Sequence, residues 1–116
     1  MRVVHVIKAT RISGAERHLL ILLPALKERG VDVSLLLLED PAHPVADMAA
    51  ELEAAGVPVR RIPIYRHIDL PVIGRLRYAL RDLRPDIVHT HLIHADLYGM
   101  IAAKRAGVRR VVTSRH

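Results

Sequence analysis

Ser13 and Glu16 stand three residues apart where a short β-branched run gives way to a leucine-rich one, with Gly14 and Ala15 between them. This is the pattern of a capping box, in which each side chain satisfies a backbone amide at the start of a helix. Gly14 lets the backbone turn tightly and leaves it uncovered, so a ligand can reach the first free N–H groups. The helix dipole favours an anion there, such as a phosphate. A capping box also begins many helices that bind nothing, and the local pattern alone does not separate the two readings.

A second group is His89, His91 and His94, followed by Asp96. On a strand His89 and His91 share one face, which would suit a metal pair. No fourth ligand is evident, and no metal is expected. Instead His91 or His94 is expected to project into a crevice as a hydrogen-bonding or proton-handling group, a task that suits imidazole near neutral pH. His5, mid-strand, reads as a core histidine with its ring satisfied. His116 follows the last expected strand and points to the same end of the sheet.

The elements that must hold these residues alternate. Strands are predicted over 3–7, 31–38, 57–62, 86–90 and 110–113. Helices are predicted over 14–29, from Pro44 to Gly56, from Asp69 and Pro71 to the residue before Pro85, and over 95–106. Gly30, Gly56 and Gly107 stand where helices stop, and Lys27 and Arg29 suit the carboxyl end of the first. Pro24 lies inside that helix and should bend it. Such alternation implies one α/β, Rossmann-like, three-layer domain with a parallel five-stranded sheet. Right-handed crossovers leave few topologies. Order 3-2-1-4-5 is expected, with 2-1-3-4-5 as the competitor. In the first, strand order reverses between strands one and four, and the ligand crevice lies at their carboxyl ends. The Ser13–Gly14 corner and the His89-Thr90-His91 run meet there.

Composition narrows the partners. The chain has 116 residues, 51% apolar, with no Phe, Trp or Cys, so its core is aliphatic and free of disulfides and thiolate metal sites. Its formal charge of +6 suits a phosphate-bearing substrate, an anionic membrane surface or nucleic acid. Aromatic residues are few, three tyrosines in all, which argues against nucleic acid. Arg77, Arg81 and Arg84 lie along one face of the third helix, either as a solvated face or as an arm for anionic lipid. No run approaches the roughly 18 apolar residues of a membrane span. The start, Met1-Arg2-Val3-Val4-His5, lacks a signal-peptide pattern. A cytoplasmic location, peripheral at the inner face of the membrane, is expected. Neither G-x-G-x-x-G nor G-x-x-x-x-G-K-[ST] is present, and no Ser or Cys nucleophile sits in an elbow.

These residues resemble a known family. The run Val3-Val4-His5-Val6-Ile7, then Ser13-Gly14-Ala15-Glu16-Arg17-His18-Leu19-Leu20, then Leu26-Lys27-Glu28-Arg29-Gly30-Val31-Asp32-Val33 is similar to the amino-terminal domain of family 4 glycosyltransferases. The later Pro85-Asp86-Ile87-Val88-His89-Thr90-His91, with Ala95 beyond it, and the ending Val111-Val112-Thr113-Ser114-Arg115-His116 fit it too. The resemblance implies the front half of a two-domain B-type (GT-B) fold, and a retaining enzyme that moves a sugar from a nucleotide-sugar donor to a glycan or lipid-linked acceptor. It implies that Ser13, Gly14 and Ala15 lie near the donor diphosphate or sugar, and that His116 lies near the transferred sugar as the catalytic position. His91, with His94 and Glu16, falls on the acceptor side. No cofactor or metal is implied.

The sequence departs from the family in two ways. Ser13 stands where many members have a second glycine, which narrows the approach of the phosphate. The nucleotide-binding domain, with its glutamate pair, is absent from the chain, and the family continues its sheet past strand five. Residues 1–116 are therefore expected to be a single, incomplete acceptor-side domain without turnover of its own. The rival reading is a stand-alone binding module without catalysis, self-associating as a homodimer through an exposed fifth strand.

Overall fold

The structure is a computed structural model and describes residues 1–9, 14–65, 71–91, 101–102 and 104–114. Its strands are β1 (Arg2–Ala9), β2 (Asp32–Glu39), β3 (Val59–Pro63), β4 (Ile87–His91) and β5 (Arg110–Ser114). Its helices are α1 (Gly14–Glu28), α2 (Ala46–Ala54) and α3 (Pro71–Leu83). Residues 101–102 and 104–106 are also helical, within the span expected for a fourth helix. The strands form one sheet in the order β3-β2-β1-β4-β5, all pairs parallel. This is the expected Rossmann-like order, and the competitor 2-1-3-4-5 is excluded.

The aliphatic residues that make β1 and β2 apolar on both faces divide between two cores. Val4, Val6, Leu36, Leu38 and Val88 point to α3 and to Ala102. Ile7, Ala9, Val33, Leu35 and Leu37 point to Leu19 and Leu23 of α1 and to Met48 and Leu52 of α2. A parallel sheet requires this, because crossover helices cover both of its faces.

The helix stops follow from backbone geometry. Gly30 has φ +86°, its N–H donates to Lys27 O at 3.0 Å, and the N–H of Val31 donates to Leu26 O at 3.0 Å. That pair of bonds closes α1 with a left-handed glycine at the expected position. Arg2 ties the sheet at its other end: its N–H donates to Asp86 Oδ2 at 2.7 Å, its Nε to Asp32 Oδ2 at 2.9 Å, and Nη1 to Leu83 O. The guanidinium beside Asp32 holds that carboxyl below its usual range.

Several boundaries differ from expectation. β1 runs on to Ala9 and β4 to His91, which carries both strands further towards the crevice. α2 begins at Ala46 rather than Pro44, because the N–H of Val45 is held by Glu39 Oε2 at 3.0 Å and Val45 becomes the cap. β3 begins at Val59 rather than Val57. Val57 is fully buried in the core, and Pro58, which has no N–H, only accepts from Leu35 N at 2.9 Å. α1 is continuous through Pro24.

Candidate functional site

Strand order reverses between β1 and β4, and in parallel α/β sheets a ligand crevice lies at the carboxyl ends of the strands at such a point. Gly14 is the first residue of α1 and is exposed. A Cβ built there meets nothing within 4 Å, and its φ is not in the left-handed region. Nothing inside the described chain requires glycine at this position, and the space above it is open. Glu16, in the first turn, is buried at 3% exposure. Ser13, His94 and His116 lie outside the described residues, as does the side chain of Ala15.

His91 is at the very end of β4 and only 1% exposed. The register explains its partners. His5 of β1 pairs with His89 of β4, and His91 lies two residues further along the same face. Three imidazoles from two neighbouring strands therefore stack: ring centroids are 5.0 Å apart for His5 and His89, 5.2 Å for His5 and His91, and 4.2 Å for His89 and His91. His5 Nδ1 and His91 Nε2 share a hydrogen bond of 2.9 Å. His5 was expected to be a satisfied core histidine. It is in the core, at 2% exposure, but its Nε2 has no partner. Burial, followed by the nearby His89, pushes its pKa down from 6.5 to about 4, so the ring is neutral at physiological pH. A neutral imidazole such as His5 can accept, donate or relay a proton, or supply a lone pair to a cation.

Sequence reasoning missed two features. One is the third member of the stack, since His5 lies 86 positions from His91 and only the β1–β4 register joins them. The other is Glu39, at the carboxyl end of β2 and 7% exposed. Its Oε1 accepts from Arg61 Nε at 2.5 Å while Oε2 holds the Val45 amide, so one carboxylate ties β2, β3 and the start of α2 together. An acid directly after the apolar run Leu35–Leu38 was the available signal. Glu39→Ala is expected to cost about 1–2 kcal/mol, because a buried amide loses its acceptor. Urea denaturation checks this, and a loss below about 0.5 kcal/mol would contradict the role given to the carboxylate.

Of the three arginines, Arg81 and Arg84 are exposed, whereas Arg77 is half-buried with its Nε unpartnered. Arg84 lies past the end of α3 with φ +50° and closes it, its N–H donating to Leu80 O at 2.9 Å. Arg81 and Arg84 line an open cavity of about 310 Å³ with Pro85 and Gly107, at the amino ends of β4 and β5 and away from the crevice. Among the described residues, no helix is long and apolar enough to cross a membrane.

A family model described as a glycosyl transferase 4-like domain matches residues 13–116. The chain belongs to this glycosyltransferase family. The family fold is visible in solved structures. The lipopolysaccharide outer core galactosyltransferase WaaB superposes with TM-score 0.77 at 14% identity, over 100% of this chain and 33% of that one. Anabaena HepE, solved in complex with UDP, gives 0.71 at 18% identity, over 97% of this chain and 29% of that one. The chain thus spans about a third of these glycosyltransferases. The C-terminal domain of a Pyrococcus furiosus hydrogenase also has this fold, with TM-score 0.66 at 20% identity, and is matched over 90% of its length and 97% of this chain. No curated protein shows significant similarity to the chain. The glycosyltransferase family match rests on sequence that includes the Ser13–Gly14 corner, the His89–His91 run and the ending at His116.

Proposed function

We propose that this chain is the acceptor-side half of a retaining glycosyltransferase, and that a nucleotide-sugar-binding domain completes its cleft. The observation that carries the reading is the amino end of α1 in a member of this family. Gly14 stands uncovered at the point where strand order reverses, with no steric or conformational need for glycine inside the described chain. A diphosphate or a reacting sugar can approach the helix amides there. Ser13 and Ala15 flank that approach, Glu16, His91 and His94 belong to the acceptor side, and His116 lies near the transferred sugar. The UDP held by HepE supports a nucleotide sugar as donor. The reaction needs no metal or other cofactor in this reading, and the 116-residue chain by itself does not turn over.

The test is transfer from radiolabelled UDP-hexoses by the longest protein in which the source cells carry this segment. Gly14→Trp is expected to lower transfer at least about tenfold without changing thermal stability, because the indole occupies the approach to the helix amides. Undiminished transfer by both Gly14→Trp and His116→Ala would overturn the site assignment.

A second reading has one observation in its favour. The Pyrococcus domain is matched over 90% of its length, so a domain of this size and fold occurs in a protein described as a hydrogenase. In that reading the chain is a non-catalytic module that self-associates through β5, the edge strand of the described sheet. Sedimentation showing a monomer at high concentration counts against it.

A further inference from the structure

We propose that His5, His89 and His91 form a binding site for one zinc-class divalent cation. One ring nitrogen from each of the three lies within 4.8 Å of one from each of the others. Tetrahedral zinc with metal–nitrogen bonds of about 2.0–2.1 Å holds its ligand atoms about 3.3 Å apart, so binding draws the nitrogens together and turns the stacked rings until their in-plane lone pairs meet at the cation. The backbone already aims the rings. Two come from alternate residues of β4 and the third from the neighbouring strand, all on one face of a sheet whose register is fixed by continuous pairing of β1 with β2 and β4.

Packing does not account for imidazole at these positions. The same face carries Ile7, Leu35 and Leu37, an aliphatic layer in which His5 bonds His91 through Nδ1. His5 also buries an Nε2 with no partner among the described residues, a desolvation cost that no hydrogen bond offsets. A cation that takes this nitrogen as a ligand offsets that cost. Neutral imidazoles suit zinc, cobalt, nickel and copper better than calcium or magnesium, which prefer oxygen. Three protein ligands leave a fourth position for solvent. Solvent reaches the cluster from the β5 side, where His89 is half-buried and its register neighbour Val112 is 40% exposed.

Cobalt(II) is the spectroscopic probe for this site. Titrated into the metal-free 116-residue chain, it is expected to give the intense visible bands of tetrahedral cobalt at one equivalent, and zinc is expected to displace it. Zinc should also raise the thermal midpoint, since it binds the folded chain. His89→Ala removes the half-buried ligand with the least disturbance to the core, and far-ultraviolet circular dichroism confirms that it folds. It is expected to weaken cobalt binding at least about tenfold, as loss of one ligand of three should. His43→Ala and His18→Ala, on the surface, are expected to leave binding unchanged. Absence of the bands in the folded chain overturns the proposal. So does a folded His89→Ala chain that binds as the parent does. Sugar transfer by the longer protein is a separate readout, and its outcome does not bear on this one.

Discussion

Leu36→Ala is expected to destabilise the chain by about 3 kcal/mol, within the range of about 2–5 kcal/mol for buried Leu→Ala changes. Leu36 is fully buried on β2, with Val6 of β1 on one side and Arg60 of β3 on the other. It packs in the core that joins Val4, Leu38, Ile62, Val72 and Leu76. Two ladders hold its backbone, so the sheet cannot sag into the space left by the missing methyls, and most of the cavity persists. Urea denaturation at neutral pH measures the change, read as a lower midpoint at constant slope. A loss below about 1 kcal/mol would mean that α3 moves in to fill the gap, against the packing described. Domains of this kind are stable by only about 5–15 kcal/mol, so the substitution removes a large share of the total.

The second large effect is the dependence of stability on pH. His5 holds out against protonation down to about 4, whereas the unfolded ring takes a proton near 6.5. Between those values the unfolded chain binds more protons than the folded one, so stability falls as pH falls from about 6.5 to about 4 and levels off below. The loss expected from this one ring is about 3 kcal/mol. His89 and His91 face it from β4, while the neighbouring residues on the same face of β1 and β2 are Val3, Ile7, Leu35 and Leu37. The other buried acids near the carboxyl ends, Glu16 and Glu39, lie on α1 and at the end of β2. Urea denaturation in buffer with EDTA, compared between the parent chain and His5→Leu, measures how much of the slope depends on His5. The variant should lose most of the slope between about pH 6.5 and about pH 4, and an unchanged slope would show that other groups carry it.

Both effects lie on strands whose existence was legible in the chain. The β-branched run at Val3–Ile7, the leucines at 35–38 and the glycines at helix ends are local signals, and local signals survive without knowledge of the fold. Alternation narrowed the strand order to two candidates, because right-handed crossovers admit few sheets, and the pairing of β1 with β4 chose β3-β2-β1-β4-β5 between them. The Gly14 corner was visible for the same reason, as a strand-to-helix junction written in consecutive residues.

Boundaries and side-chain partners were less accessible. α2 begins at Ala46 because a carboxylate from β2 holds the preceding amide, and β3 is shortened by where Pro58 falls in the ladder. Each depends on a residue brought near by the sheet rather than by the chain.

By itself, then, the sequence determined the α/β class, two candidate strand orders, the membership of a glycosyltransferase family and the aliphatic character of both cores. Composition, periodicity and motif spacing are properties of neighbours along the chain. Only the tertiary structure decided that His5 joins His89 and His91, that His91 is buried against that stack, and that Glu39 ties three elements together. Side chains on separate strands meet only when backbone hydrogen bonds set a register, and a shift of β4 by one residue would put His89 and His91 on the face of the sheet opposite His5.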